Sequence, residues 1–266
     1  IQYDVFMVPS FVFFHYIKSF SKRQCFLLQF GGTLGILVEK STEVFPMKKH
    51  ILCIGDSNTH GYCADPMDCA DHGIRFNEDE RWTCRLQKAL GQEYLVTEEG
   101  LSGRTTVFPD PINENMDVLP YVYALLKSHE YIDLLVIMLG TNDTKERLGT
   151  NPFVIGKGME RLVRKAMSVD CWQPGKQPKV LIIAPPPIGD GVLTNGPVVA
   201  DMGKNAPAIS RGIAEYYKAT AELLGVHFLD AAFCQFNEVD YMHLTRQGHA
   251  QLAEKLSQLV PEILAE

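Results

Sequence analysis

The chain has 266 residues, of which 46% are hydrophobic and 21% are charged, and its formal net charge is −7. This composition is typical of a globular protein with a buried core and argues against intrinsic disorder. The negative charge and the lack of a basic stripe argue against nucleic-acid binding. The apolar runs near the N-terminus are shorter than the roughly 20 residues that span a bilayer, so a membrane is not expected as a partner either.

The seven cysteines show no regular spacing along the chain. Cys53 lies within an apolar run that is typical of a core strand, where a thiol behaves as a small hydrophobic group. The sequence therefore predicts reduced cysteines and a cytoplasmic protein.

The first 46 residues differ in character from the rest, because they are rich in phenylalanine and contain the apolar runs Val5–Ile17 and Cys25–Val38. The second run weakly resembles a signal peptide, but no small-x-small cleavage site follows it. Met47, in contrast, leads directly into a strand-like segment. We expect 1–46 to be an N-terminal extension, non-native or disordered, and 47–266 to be the working domain; a genuine targeting segment is the alternative.

From residue 50 onward, short apolar runs alternate with longer stretches of helical periodicity. The predicted strands are His50–Ile54, Glu93–Glu98, Tyr131–Leu139, Lys179–Ala184 and Val226–Leu229. The predicted helices are Glu80–Leu90, Asn115–Ser128, Pro152–Val169, Ala206–Leu224 and Thr245–Leu259. Nearly continuous apolar strands are typical of parallel sheets covered on both faces. The pattern therefore predicts an α/β fold with a doubly wound parallel sheet and right-handed crossovers.

Two segments, Asp56–Asp79 and Pro185–Asn205, are too long to be simple connections. Long loops in compact domains are usually functional. Both segments leave the carboxyl ends of predicted strands, which is where open α/β sheets bind their ligands.

Polar residues cluster after four of the predicted strands, and the parallel arrangement should bring them to one edge of the sheet. The clusters are Gly55–Gly61, Gly100–Arg104, Gly140–Asp143 and Asp240–His243. Together they contain a hydroxyl group, an imidazole that could deprotonate it, a carboxylate that could orient the imidazole, and hydrogen-bond donors for an oxyanion. These are the groups that acyl transfer requires.

The blocks G-D-S-x-T, G-L-S-G-R-T-T, M-L-G-T-N-D and D-x-x-H, in this order, resemble the SGNH (GDSL-like) hydrolase superfamily. The longer strings Glu98–Thr106 and Ile137–Lys145 are similar to its bacterial arylesterase branch, which includes acyltransferases and perhydrolases. The resemblance covers residues from about 50 to 260. It implies a flavodoxin-like three-layer sandwich with a five-stranded parallel sheet in the order 2-1-3-4-5.

The resemblance also implies a role for each matching residue. Ser57 would be the nucleophile, His243 the general base and then the general acid, and Asp240 the carboxylate that orients the imidazole. The oxyanion hole would consist of the backbone N–H groups of Ser57 and Gly103 and the side-chain amide of Asn142. No cofactor and no metal are implied.

Each of these residues also has a structural interpretation. Ser57 could cap a helix, Gly103 could permit a tight turn, and a lone D-x-x-H is usually a surface pair. The occurrence of four blocks in order favours the catalytic interpretation. Asp143, which follows Asn142, is expected to be an ordinary turn residue that could cap a helix.

The sequence also offers two competing sites. The spacing of His60, Cys63, Cys69 and His72 superficially offers four zinc ligands, although an SGNH site needs no metal. A flavodoxin-like module could instead bind phosphate on its first loop. Gly55–Gly61, however, has only two glycines and no lysine, unlike a phosphate cradle.

The expected function is hydrolysis of short-acyl carboxylic esters through an acyl-enzyme, with a small-molecule ester as substrate. The alternatives are a carbohydrate O-acetylesterase, or an acyltransferase or perhydrolase with the same triad. The arylesterase branch often has tryptophans where this chain has His60 and Tyr62. A more polar mouth favours hydrolysis over transfer. By the same resemblance the protein is expected to form homo-oligomers.

Overall fold

A computed structural model of the protein describes residues 3–7, 25–30, 33–39 and 47–266. The chain forms two compact units, Ile1–Met47 and Lys48–Glu266. In the first unit, three strands pair antiparallel in the order β1-β3-β2, namely β1 (Tyr3–Met7), β2 (Cys25–Phe30) and β3 (Thr33–Glu39). Most of the range 1–46 lies outside the described residues, so its assignment as a non-native or disordered extension stays a prediction.

The second unit alternates strands and helices along the chain. The strands are β4 (Lys49–Gly55), β5 (Tyr94–Gly100), β6 (Leu134–Met138), β7 (Val180–Ala184) and β8 (His227–Asp230). The helices are α1 (Ser57–His60), α2 (Trp82–Leu90), α3 (Val122–Ser128), α4 (Pro152–Met167), α5 (Gly196–Met202), α6 (Ala206–Leu224) and α7 (Arg246–Ala265).

All five strands of the second unit are parallel, and their order is β5-β4-β6-β7-β8. This order is the predicted 2-1-3-4-5, and the predicted α/β class with a five-stranded parallel sheet is confirmed. Because the strands are parallel, their carboxyl ends share one edge of the sheet, and the polar clusters after β4, β5 and β6 begin there.

The sheet is buried on both faces because successive side chains of a strand point in opposite directions. Leu52 and Ile54 of β4 face a core that contains residues of α3, α4 and α6. Ile51 and Cys53 face a second core that contains residues of α2 and α7. Helices on both faces of a central sheet make the predicted three-layer sandwich.

The predicted helix Asn115–Ser128 is wrong in its first half, because α3 begins only at Val122. The backbone before it pairs with Thr105 instead: Thr105 N donates to Met116 O over 3.0 Å, and Val118 N donates to Thr105 O over 3.2 Å. Pro120 has no N–H and disfavours a helical residue before it, so a helix cannot continue backward past Pro120.

Other segments also differ from the predictions. The long segment Pro185–Asn205 contains a 3₁₀ helix at Asp190–Thr194 and then α5. The last helix continues past the predicted end at Leu259 to Ala265. Among the residues that the structure describes, no helix is both long and apolar enough to cross a membrane.

Candidate active site

Ser57 is the first residue of α1, immediately after the buried strand β4. The preceding residue, Asp56, caps this short helix by accepting a hydrogen bond from Asn58 N over 2.9 Å. The capping role considered for the serine is therefore filled by its neighbour. This arrangement leaves the Ser57 hydroxyl free to interact with the loop that follows β8.

Ser57, His243 and Asp240 form a continuous hydrogen-bonded chain. The Ser57 Oγ lies 2.7 Å from His243 Nε2, and His243 Nδ1 lies 2.6 Å from Asp240 Oδ2. The imidazole thus lies between a hydroxyl and a carboxylate, each within ordinary hydrogen-bond distance. This geometry allows the imidazole to accept the serine proton while the carboxylate orients the ring.

The Asp240 carboxylate is held by several donors besides the imidazole. Its Oδ1 accepts hydrogen bonds from Asn237 Nδ2 over 3.0 Å and from the backbone N of Met242 and His243, each over 3.1 Å. Burial acts to raise the pKa of Asp240, but these hydrogen bonds and the neighbouring imidazole outweigh it and hold the pKa below its ordinary value. The carboxylate is therefore charged and fixed in position.

Asn58, which the sequence analysis did not single out, joins the serine to the histidine loop. Its Oδ1 accepts from Leu244 N over 2.9 Å, and its Nδ2 donates to Met242 O over 3.4 Å. These two backbone groups flank His243 in sequence. The Asn58 side chain thus hydrogen-bonds to the residues on both sides of His243. Asn58 therefore positions Ser57 and His243 relative to each other.

The remaining two predicted residues lie on the neighbouring loops. Gly103 has φ +89°, a left-handed conformation in which a side chain would be strained, and a Cβ there would lie 3.1 Å from Met116 Sδ. Asn142 is buried, and its Nδ2 donates to Arg104 O over 3.2 Å. The Asn142 amide is therefore anchored to the residue that directly follows Gly103.

Arg104 fixes the Gly103 loop to the strand that precedes Ser57. Its buried guanidinium donates to Gly55 O over 3.2 Å and also to Glu99 O. Because Gly55 ends β4, this contact links the second polar block to the first. The loops that carry Ser57, Gly103 and Asn142 are thus joined through one arginine and its own carbonyl group.

Asp143 is not the ordinary turn residue that was expected. It is fully buried and accepts hydrogen bonds from Thr106 N over 3.0 Å and from the Thr106 hydroxyl. Burial raises the pKa of Asp143 to about 6, and the nearby Asp56 contributes in the same direction. The pKa of Asp56 is likewise raised to about 6, chiefly by burial. Two buried carboxyl groups with raised pKa values therefore lie next in sequence to Ser57 and Asn142.

The profile of the GDSL-like lipase/acylhydrolase family matches residues 53–251 of the chain. The chain belongs to this family. The match begins within the strand before Ser57 and includes Ser57, the Asn142 turn, and the loop of Asp240 and His243. The resemblance inferred from the four sequence blocks is thereby confirmed, and this GDSL-like protein is a carboxylic ester hydrolase.

Solved structures similar to this GDSL-like hydrolase include two bacterial esterases. The carbohydrate acetylesterase family member from Sinorhizobium meliloti is 32% identical, with a TM-score of 0.74, over 82% of this chain and 100% of that one. The aryl esterase of M. smegmatis is 33% identical, with a TM-score of 0.71, over 81% and 99% of the two chains. The lipase/acylhydrolase from Enterococcus faecalis, at 17% identity and a TM-score of 0.54, shares the fold. No curated protein gave a significant match.

Tyr62 is a second residue that the GDSL-like site adds to the predicted set. Its ring lies against the His243 imidazole, with the two centroids 4.6 Å apart and the planes tilted by 59°. The backbone N of Tyr62 donates to Ser57 O over 2.9 Å. In the sequence this position stands out only as a substitution for tryptophan at the mouth, whereas in the structure its aromatic ring packs on the imidazole itself.

The alternative zinc site is not assembled in this hydrolase. Cys63 and Cys69 are buried together beside Phe76, whereas His72 is exposed. Across residues 47–266 and the three N-terminal strands, no three histidine, cysteine or acidic side chains converge as metal ligands. The Cys63 thiol donates to Asp65 O over 3.0 Å, and burial raises its pKa to about 12. The Cys63 thiol is thus held by a hydrogen bond within its own loop.

Proposed function

We propose that the protein is a serine esterase that hydrolyses short-acyl carboxylic esters through an acyl-enzyme. The observation that carries the proposal is the chain from Ser57 Oγ through the His243 imidazole to the Asp240 carboxylate, at 2.7 and 2.6 Å. A serine hydroxyl is a weak nucleophile unless an adjacent base removes its proton. Family membership supports the same chemistry.

In the first half of the reaction, Ser57 Oγ attacks the ester carbonyl carbon while His243 Nε2 takes the hydroxyl proton. The carbonyl oxygen becomes an oxyanion, which the Asn142 amide and the backbone N–H groups of Gly103 and Ser57 would stabilise. Collapse of this intermediate breaks the carbon–oxygen bond to the alcohol. The imidazolium donates its proton to the leaving alkoxide, and the acyl group remains on Ser57.

In the second half, His243 removes a proton from water, which attacks the acyl-enzyme carbonyl. The second tetrahedral intermediate collapses, the carboxylic acid leaves, and Ser57 regains its proton from the imidazolium. Asp240 stays charged throughout and holds the ring so that Nε2 faces the serine. Its low pKa suits this role, because a protonated carboxyl group would not stabilise the imidazolium.

Two features indicate which alcohol the ester substrate contains and which molecule accepts the acyl group. The similarity to the S. meliloti carbohydrate acetylesterase favours an acetylated sugar as the second candidate substrate, beside aryl esters. Where the arylesterase branch often has tryptophans, this chain has His60 and Tyr62, which makes the mouth more polar and favours water over an alcohol as the acyl acceptor.

The proposal is tested with an ester panel that varies the acyl chain and the alcohol separately: p-nitrophenyl acetate, butyrate and octanoate, and acetylated monosaccharides. Ser57→Ala should abolish turnover of every substrate while leaving the melting temperature nearly unchanged. Ser128→Ala, a substitution of an exposed helical serine, is the matched control and should be fully active. If Ser57→Ala keeps more than a few per cent of the wild-type rate, the nucleophile is a different residue.

A further inference from the structure

The segment of residues 188–205, here named the brace, contacts both halves of the site. One end packs against the loop that carries Asp240 and His243, and the other end binds the residues that directly follow the Asn142 turn. Nothing in the sequence blocks anticipates this connection, because the brace lies between β7 and α6 and supplies none of the proposed catalytic groups.

At the histidine end, Tyr241 links the brace to the loop. Tyr241 has φ +60°, an uncommon conformation for a residue with a side chain, and it lies between Asp240 and His243 in sequence. Its carbonyl oxygen accepts from Gly189 N over 2.8 Å. Its ring lies so close to Gly191 that a Cβ added there would be 2.2 Å from Tyr241 Cε1.

Two further contacts strengthen this end. Asn195 Nδ2 donates to Val239 O over 2.7 Å, one residue before Asp240. Met242, adjacent to His243, belongs to a small buried cluster with Ile188, Val192 and Met202 of the brace. The loop is therefore held through residues on both sides of Asp240 and by the residue before His243.

At the other end, three consecutive residues after the Asn142 turn bind the brace. Lys145, whose backbone N donates to Asn142 O over 3.2 Å, has its Nζ 3.5 Å from Asp201 Oδ2. Arg147 Nη1 lies 2.8 Å from Asp201 Oδ1. Glu146 Oε2 accepts from Lys204 N over 3.1 Å. The turn that presents the Asn142 amide is thus tied to the far end of the brace.

We propose that the brace sets the position of the His243 imidazole relative to the Asn142 amide, with Tyr241 and Asp201 as positioning residues. This inference rests on the proposed function, in which both groups must contact the same tetrahedral intermediate. The imidazole contacts the reacting oxygens, and the amide contacts the oxyanion. Misplacement of one group by about 1 Å can cost about 100-fold in rate. A brace attached to both groups holds them at a fixed separation.

The first test compares two glycine substitutions within the brace. Gly191→Ala places a methyl group against the Tyr241 ring, whereas at Gly196 an added Cβ meets no atom within 4 Å. Gly191→Ala should lower kcat on p-nitrophenyl acetate by about 10- to 100-fold with KM nearly unchanged, because the imidazole is misplaced rather than substrate binding lost. Gly196→Ala should match the wild type. Equal activity of the two variants would overturn the proposal.

A second-site variant separates this mechanism from general destabilisation. Tyr241→Asn removes the ring, and asparagine tolerates the left-handed conformation. In that background Gly191→Ala should have no additional effect on kcat, because the clash is gone. Tyr241→Phe, which keeps the ring, should stay near wild-type activity. An additional loss from Gly191→Ala in the Tyr241→Asn background would show that the glycine acts elsewhere.

The other end of the brace is tested with two carboxylates. Asp201→Ala removes the pairs with Lys145 and Arg147, whereas Asp190→Ala removes only the exposed pair with Arg211 at 2.8 Å. Asp201→Ala should lower kcat by a larger factor than it changes KM. Asp190→Ala should change neither constant. Combined with Gly191→Ala, Asp201→Ala should show a non-additive loss, since both substitutions loosen the same brace. Strict additivity, or equal effects of the two aspartates, would overturn the proposal.

These outcomes are distinct from failure of the proposed function, in which the wild type would lack Ser57-dependent esterase activity. If Gly191→Ala does not fold, the comparison of Asp201→Ala with Asp190→Ala decides the question. Thermal melts of every variant accompany the kinetics, and a loss of kcat at an unchanged melting temperature is the expected signature.

Discussion

Thr106 and Asp143 are joined by two hydrogen bonds, one from the Thr106 backbone N and one from its hydroxyl, both to the fully buried carboxyl group. This contact connects the loop after β5, which carries Gly103, to the turn after β6, which carries Asn142. The site therefore depends on a carboxyl group that takes no part in the proposed chemistry, and this group has a consequence for stability.

The first prediction is a pH-dependent stability. The folded-state pKa values of Asp143 and Asp56, raised to about 6, exceed their ordinary value, so the folded protein binds protons more tightly than the unfolded chain. This stabilisation is complete below about pH 4 and is lost as the pH rises through about 6. Asp143→Asn cannot ionise at this position. Its melting temperature should therefore rise relative to that of the wild type as the pH increases from 4 to 7.

The gain corresponds to roughly 1–3 kcal/mol. Melting curves of both proteins across this range measure it as a difference, which removes the contribution of groups that do not interact with Asp143. The exposed Asp230 gives the control, since Asp230→Asn should run parallel to the wild type. A constant offset between Asp143→Asn and the wild type would show that the buried carboxyl group does not titrate in this range.

The second prediction concerns the carboxylate that orients the imidazole. Asp240→Asn should lower kcat by up to about 10⁴-fold, because an amide at this position favours the wrong tautomer of His243. KM should change little. Steady-state kinetics with p-nitrophenyl acetate measure both constants, and retention of more than a tenth of the wild-type kcat would exclude the assigned role.

The third prediction concerns the oxyanion. Asn142→Ala should lower kcat by roughly 10²–10³-fold, about 2.7–4 kcal/mol, with a smaller effect on KM, because the amide bonds best to charge that exists only in the transition state. Asn142→Asp, which is similar in size but lacks the N–H donor, should be at least as impaired. A rise in KM at constant kcat would instead identify Asn142 as a substrate-binding residue.

The fourth prediction concerns the ring that packs on the imidazole. An aromatic pair contributes about 0.5–1.5 kcal/mol, so Tyr62→Ala should lower kcat by about 2- to 10-fold as the ring of His243 loses its support. Tyr62→Phe keeps the contact and should restore the wild-type rate. Tyr123→Ala, which removes an exposed tyrosine, is the matched control. Equal activity of Tyr62→Ala and Tyr62→Phe would contradict the positioning role.

The fifth prediction concerns the N-terminal 46 residues. A chain that starts at Met47 should fold and keep full esterase activity, because Ser57, Gly103, Asn142, Asp240 and His243 all lie in the compact unit Lys48–Glu266. Thermal melts and turnover of the two forms decide the question. A shortened protein that aggregates or melts several degrees lower would show that the extension is a structural element.

Much of the fold could be predicted from the sequence because the strong signals are local. The buried run Leu134–Met138 is apolar at every position, which is typical of a covered parallel strand, and Ala206–Leu224 has matching helical boundaries in sequence and structure. The helix predicted from Asn115 failed because its first residues pair with Thr105 across the loop after β5. Periodicity does not report such a long-range contact.

The same distinction applies to the site. Short motifs in the sequence contain four of the site residues, so these can be recognised without a structure. They are Ser57, Asn142, Asp240 and His243. Asn58, Asp143 and Tyr241 act through partners distant in the chain: Asn58 binds residues 184 and 186 positions away, and Asp143 binds one 37 positions away. Their types, amide, carboxylate and phenol, carry no signal of these partners.

The hydrogen bonds between Asn58 and the loop around His243 have a consequence for folding kinetics. Ser57 and His243 are separated by 186 positions, so they meet only when the first strand and the last loop of the domain close on each other. Contacts of this span form slowly, because a long chain segment must lose its freedom first. During refolding, ester turnover should therefore return later than the helical circular dichroism signal. The return of turnover then reports the final closure of the chain.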